Sequence, residues 1–411
     1  MSEDARDLVY DWNCAGGESI PERPPIEFDD ETLRDGLQSP SVRTPDIEER
    51  FEVLQLIHDL GIQSANLGLP GAGPRQAAEI EALARHIIDN KLAIEPNVAC
   101  RTLVVDIEPA VEISQKLGIP LEVATFIGSS EIRRYVEKWD ASMMRRVSCE
   151  AIRFARQNDM PVMYVTEDTS RAHPETVREL YTSAIEEGAD RVCICDTTGH
   201  STPAGVRNVI RFVKEEIVAK TRPEVKVDWH GHNDRGLGLI NALAAIDAGV
   251  DRVHGTILGI GERCGNTSLD QLLVNLKLLG LIDQDLRRLT EYCQLVSRIT
   301  DVPIPRNYPV FGSDAFETAT GVHAAAVIKA LKMNDDWLAN RVYSGVPADE
   351  FGCEQSITVG NMSGKSNVIF YLEKRGIEPD DTIVERVLDH AKKSKRVLSE
   401  DEILELAGRS A

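Results

Sequence analysis

The chain has 411 residues, 42% of them apolar, and a formal charge of -21. That length suffices for one large domain with an extension, or for two to three ordinary domains. The charge excludes non-specific attraction to nucleic acid or to an anionic membrane surface, so an anionic substrate would need local positive charge. No apolar run reaches the roughly 18 residues of a membrane span. The opening MSEDARDLVYDWNCAGG lacks the basic-then-apolar layout of a secretory signal, so a cytoplasmic location is expected. Eight cysteines without a CxxC pair read as reduced thiols.

Taken in chain order, short β-branched or apolar runs alternate with longer segments of helical period. The eight strand candidates are IEFDD (26–30), SANLGL (64–69), AIEPNVA (93–99), LEVATFI (121–127), PVMYVTE (161–167), DRVCICD (190–196), VKVDWHG (225–231) and DRVHGTI (251–257). Between them lie amphipathic segments such as 46–61, 75–90, 174–189 and 204–218, each long enough to return the chain for a parallel strand. Gly61, Asn90, Gly118, Gly188 and Gly249 stand where helices should stop. Eight such units over residues 25–285 predict an α/β fold, a (β/α)8 TIM barrel. A doubly wound open sheet is the runner-up, but no glycine-rich dinucleotide turn follows the first strand. Residues 1–24 form an N-terminal segment. Residues 286–312 read as a helix (RRLTEYCQLVSRIT) and a stiff, extended linker set by Pro303, Pro305 and Pro309. The remainder, 313–411, reads as a smaller, mainly helical subdomain with segments near 314–333, 366–374, 380–394 and 399–407.

In a barrel of this kind functional groups collect at the carboxyl ends of the strands. The polar residues do so here: Arg34 and Asp35 after the first strand, Glu167 and Asp168 after the fifth, Asp196 and Thr197 after the sixth, Glu262 and Asn266 after the eighth. The seventh ends in His230-Gly-His232, and alternation along an extended chain puts both imidazoles on one side with α-carbons about 6.6 Å apart. Strands one and seven are only two apart in a closed barrel, so Asp35 can join the pair. One carboxylate and two neutral imidazoles leave open positions on a divalent ion, with Zn²⁺, Mn²⁺ and Mg²⁺ all admissible. Cys193 and Cys195 read instead as buried strand residues, because no second pair completes a tetrahedral set.

Three ordered stretches, ETLRDGLQS, the long run WHGHNDRG…GIGERCGN and FETATGVHAAAV, resemble the DRE-TIM metallolyase superfamily and its Claisen-condensing branch of isopropylmalate, homocitrate and citramalate synthases. The resemblance covers about residues 25–370. It implies an acyltransferase that joins acetyl-CoA to a 2-oxo acid and hydrolyses the thioester, giving a 2-substituted malate. By position it implies Asp35, His230 and His232 as metal ligands, Asn266 near the ion through water, and Arg34 stabilising developing charge. It also implies Glu167 as an active-site carboxylate and Gln38 and Thr197 as substrate contacts. His323 would reach the site of a partner subunit, so a homodimer follows from the same likeness. Because the acetyl methyl is a weak carbon acid, it needs a positioned base, for which His323 with Glu167 or Glu262 is the candidate set. Structural alternatives stand beside these roles: a rim ion pair for Arg34 and Asp35, an ordinary helix residue for His323, and a charge network for Glu167. His58 and His86 fall on barrel helices, and His254 reads as an inward-pointing strand residue. NMSGKSNV (361–368) reads either as a CoA phosphate site or as a helix cap.

The sequence also departs from the family pattern. Asn66 stands where many relatives carry glutamate, and an amide takes no proton, which weighs against acid–base duty there. Isopropylmalate synthases often have histidine, serine and asparagine where this chain has Ala124, Val165 and Cys193. A larger, less polar pocket is expected, suited to an apolar 2-oxo acid bulkier than ketoisovalerate. The leucine-binding regulatory domain of some relatives is not evident, so no leucine inhibition is expected. Two rival readings remain: a carbon-carbon lyase of the hydroxymethylglutaryl-CoA lyase type, suggested by Cys264 in the loop after strand eight, and a non-catalytic metabolite sensor.

Overall fold

The computed structural model describes residues 8–14 and 25–409. Most of the segment 1–24, and with it most of the opening stretch on which the expected location rests, lies outside the described residues. All eight expected strands form: β1 (Glu27–Asp30), β2 (Ser64–Asn66), β3 (Glu95–Arg101), β4 (Glu122–Gly128), β5 (Val162–Glu167), β6 (Arg191–Asp196), β7 (Lys226–Gly231) and β8 (Arg252–Gly255). They pair in sequence order as one closed parallel barrel, with Asp29 in register with both Ser64 of β2 and His254 of β8. Closure leaves no sheet edge, which excludes the open doubly wound alternative.

Alternation along each strand sorts the side chains. Val192, Ile194, Val227 and Trp229 face the surrounding helices and are fully buried in the main apolar core. Their neighbours Arg191, Cys193, Asp228 and His230 point into the barrel, where the charged and polar side chains gather. The helices start where capping dictates. Asp46 and Glu49 form a reciprocal box at the head of helix Ile47–Asp59, and Pro174 and Pro203 occupy first turns, where a missing N–H costs nothing. Gly118 ends helix Val104–Leu117 in the left-handed region at φ 68°. Asn90 closes its helix differently: its side-chain Nδ2 donates to the His86 carbonyl at 3.0 Å, and the left-handed residue is Lys91.

Beyond the barrel, helix Leu289–Thr300 packs back on β1, where the Tyr292 hydroxyl donates to Asp30 Oδ2 at 2.9 Å. The connector is not the extended linker expected from its prolines. Gly312 N–H donates to the Tyr308 carbonyl and Asp314 N–H to that of Arg306, both at 3.0 Å, so the chain doubles back. A proline restricts its own φ and the residue before it, and leaves the turns at 306–312 free to form. The segment is also pinned to the barrel by Tyr308, whose hydroxyl donates to Asp270 at 3.0 Å. The helix expected over 314–333 spans only Gly321–Lys332, because Glu317–Thr318 instead form a short parallel ladder with Ser356–Ile357. The barrel core continues as far as Phe351. A second apolar cluster, including Val359, Val368, Leu372, Val387 and Ile403, is built by helices Lys365–Glu373, Asp381–Lys393 and Glu400–Leu406. Among the described residues no helix is long and apolar enough to cross a membrane.

Candidate metal centre and active-site cavity

The loop after β1 turns back at once: Thr32 N–H donates to Asp30 Oδ1 at 2.8 Å and Gly36 N–H to the Glu31 carbonyl at 3.0 Å. This turn drives the Asp35 side chain over the barrel mouth, 2% exposed. His230 is the next-to-last residue of β7, and His232 follows the strand with its backbone bridged to Asn266. Asp35 Oδ2 lies 3.4 Å from His230 Nε2 and 3.7 Å from His232 Nε2, and the two imidazole nitrogens are 3.3 Å apart. Two ligands bound at about 2.1 Å and subtending about 90–125° sit about 3.0–3.7 Å apart, so these spacings suit one shared ion. Asp35 Oδ1 and Asn266 Oδ1, both buried, have no hydrogen-bond partner among the described residues. A cation would satisfy them. The loop carrying Asn266 passes so close that a Cβ on Gly261, at φ 149°, would sit 2.2 Å from Asn266 Nδ2 and 3.3 Å from Asp35 Oδ1.

The electrostatics are tuned by burial and its compensation. Burial alone would raise the Asp35 carboxyl, but Arg34, His230 and His232 outweigh it and hold the group well below the usual carboxylate range. Burial and the adjacent His230 push His232 down to about 4, so its ring is neutral and able to ligate at pH 7. Arg34 is gripped by Glu31 and lies 3.2 Å from Asp35, while its Nε is buried without a hydrogen-bond partner among the described residues. Burial raises Glu167, and the Glu262 carboxylate adds to that effect.

These groups line one cavity of about 230 Å³ at the carboxyl rim. It brings together Arg34, Asp35, Gln38, Asn66, Ala124, Val165, Glu167, Cys193, Thr197, His230, His232 and Glu262, twelve of the residues singled out in the sequence. Some are already committed within the chain. The Thr197 hydroxyl accepts from Asp168 N–H at 2.8 Å, Gln38 Oε1 accepts from Arg34 at 3.5 Å, and Asn66 Oδ1 accepts from Gly68 N–H at 3.2 Å. Asn266 stands beside the ligand group and not in the cavity wall. His323 is not brought to the site by its own chain: it is exposed and lies against Tyr343, with ring centroids 4.3 Å apart and ring planes tilted by 30°. His58 accepts a backbone N–H from Ala93, and His86 stacks on Phe51. In 361–368 the polar groups close on each other: Asn367 Oδ1 accepts from Gly364 N–H at 3.2 Å and Ser363 Oγ from Gly360 N–H at 2.9 Å, the pattern of a cap.

Seven further residues line the cavity: Glu31, Leu69, Ala99, Phe126 and Met163, which were not singled out in the sequence, and Cys195 and His254, which were read only as buried or inward-pointing strand residues. Three of them lie two positions from one already noted, as Phe126 does from Ala124, Met163 from Val165 and Cys195 from Cys193. Strict alternation would have found them. Glu31 and His254 also form a second potential ion-binding group with His230.

A closed parallel barrel with a carboxylate and two imidazoles converging at the carboxyl ends of its strands defines a TIM-barrel protein with a candidate metal centre. The chain belongs to the HMGL-like family, which matches residues 25–297, in agreement with the resemblance to the DRE-TIM superfamily. It is 31% identical over 383 residues to a probable 2-isopropylmalate synthase of Methanopyrus kandleri, covering 92% of this chain and 71% of that one. It is 30% identical over 370 residues to homocitrate synthase AksA of the same organism, covering 88% and 86%. In fold it is similar to an HMG-CoA lyase from Brucella melitensis, with a TM-score of 0.56 at 18% identity over 67% of this chain and 99% of that one.

Proposed function

We propose that this chain is a metal-dependent acyltransferase that condenses acetyl-CoA with a 2-oxo acid and hydrolyses the thioester to a 2-substituted malate. The observation that carries the reading is the convergence of Asp35, His230 and His232, with unpartnered atoms beside them, over a cavity that also holds Arg34, Glu167 and Glu262. Asp35, His230 and His232 would hold Mn²⁺, Mg²⁺ or Zn²⁺, with Asn266 acting through water. When bound there, such an ion acts as a Lewis acid towards a carbonyl, an effect worth several kcal/mol. Arg34, with its free Nε, would steady oxyanion charge. Glu167 or Glu262 with His323 would take the methyl proton. Gln38 and Thr197 would orient the acid. His323 is exposed beside Val322, Tyr343 and Met362, which are 74%, 50% and 65% exposed, and this supports a homodimer in which His323 serves the partner's cavity.

The acid we propose is apolar and bulkier than ketoisovalerate. Ala124, Met163, Val165, Cys193 and Cys195 make a continuous uncharged wall, and a distal carboxylate would lose its water against it without a counter-charge. Thiol release from acetyl-CoA with ketoisovalerate, phenylpyruvate and 2-oxoglutarate, each with added Mn²⁺, Mg²⁺ or Zn²⁺, tests both levels. A clear preference for 2-oxoglutarate would overturn the substrate choice and favour homocitrate formation. Cleavage of a hydroxyacyl-CoA without any condensation would replace the synthase by a lyase. Mixing His323→Ala with His230→Ala protein should restore activity through mixed dimers, and no recovery would refute the shared site.

A further inference from the structure

Beneath the three candidate ligands runs a line of contacts to which no role has been given. Glu31 is 2% exposed, and its carboxylate meets the Arg34 guanidinium, His254 Nδ1 at 3.1 Å and His230 Nδ1 at 3.8 Å. The other nitrogen of His230 is the one aimed at Asp35 and His232, so the Glu31 side governs how that ring is presented. His254 is 1% exposed, and its Nε2 faces Asp228 Oδ2 at 3.2 Å. Asp29 Oδ2 stands 3.7 Å from its Nδ1. Ionised carboxylates only accept hydrogen bonds, so with carboxylates on both sides the ring donates from both nitrogens and is held in orientation by both. Asp228 is clamped in turn by Arg191 and Arg252, each at 2.8 Å. The line from the barrel floor to the ring of His230 has no gap wider than 3.8 Å.

We propose that Glu31 and His254 are positioning residues for the candidate metal centre. His254 ties Glu31 to the rigid floor, and Glu31 orients His230 and Arg34 together. A carboxylate behind a ligating imidazole fixes its tautomer, its direction and its basicity. This inference rests on reading Asp35, His230 and His232 as ligands, so its test is read on the ion and not on turnover.

The test uses the full chain as wild type, Glu31→Gln, His254→Gln and the double variant. Mn²⁺ affinity is measured from the electron paramagnetic resonance of free ion, and the Co²⁺-loaded proteins are compared by their visible spectra. Each single variant should weaken Mn²⁺ binding by roughly 10–100-fold and shift the Co²⁺ bands. The double variant should lose far less than the product of the two, because both residues act through one chain of contacts. Glutamine at 254 leaves two carboxylates without their shared partner, and if that variant does not fold, the near-isosteric Glu31→Gln decides. A folded Glu31→Gln with wild-type Mn²⁺ affinity and an unchanged Co²⁺ spectrum would overturn the proposal, and a lowered melting temperature with both ion readouts intact would reduce the pair to packing. Wild-type protein that takes up no ion would instead overturn the ligand reading, before any variant is compared.

Discussion

At the floor of the barrel Asp228 receives Arg191 and Arg252 at 2.8 Å, Arg252 also reaches Glu122 at 2.7 Å, and Glu27 binds Arg191 and Lys226. At the rim, Asp35 Oδ1, Asn266 Oδ1 and Arg34 Nε are also buried and have no hydrogen-bond partner among the described residues. Both regions place charge where water is scarce, and only one closes its network. A closed network serves the fold, since every buried charge has its partner. An open one leaves polar atoms able to meet a ligand; single unpartnered atoms also occur elsewhere, as at Trp229 Nε1, so it is their clustering beside two imidazoles that marks the rim as the candidate site.

The sharpest way to break this comparison is to empty the rim. His230→Ala or His232→Ala should lower turnover about 10³-fold or more, the scale of a lost Lewis acid, while the ion-free melting temperature moves little. Emptying the floor should do the reverse. Arg252→Met leaves Asp228 and Glu122 short of a cation and should cost about 3–5 kcal/mol in urea unfolding. A divalent ion at about 100 times its dissociation constant should add about 2.7 kcal/mol to wild-type stability, and calorimetry should find the same gain in Arg252→Met but none in Asp35→Ala.

The smallest expected effect concerns a buried carboxyl belonging to neither network. Asp30, under Tyr292, is pushed up to about 6 by burial, above the usual carboxylate value of about 3.9. Its folded form holds a proton at pH 5 that the unfolded chain does not. The stability this gives is complete below about pH 3.9 and is lost as pH rises through about 6. Urea midpoints of Asp30→Asn should therefore gain on wild type between pH 5 and 7.5. Asp228 has the opposite sign: burial raises it, Arg252 and Arg191 hold it far lower, and its contribution is lost only in strong acid, outside that window.

Much of this was legible in the sequence. Period-two runs and capped amphipathic segments placed all eight strands, because alternation and capping are local rules. The His-Gly-His spacing fixed a shared face for His230 and His232, and residues at strand ends assembled in one cavity as barrel geometry requires. The connector was misread because its turns depend on hydrogen bonds between Arg306 and Asp314, which no proline rule contains. His323 was read from likeness alone, and its own chain leaves it on the surface.

What the sequence determined by itself is periodicity: which side chains share a face, where helices begin, and that a carboxylate and two imidazoles stand at strand ends. Which charge neutralises which was decided only by the closed barrel. Glu27 and Lys226 are 199 residues apart and Arg252 and Glu122 are 130 apart, yet each pair is in contact. Pattern in a chain is a property of neighbours, whereas the energy of a buried charge depends on whatever the fold brings beside it. That dependence separates the saturated floor from the waiting rim.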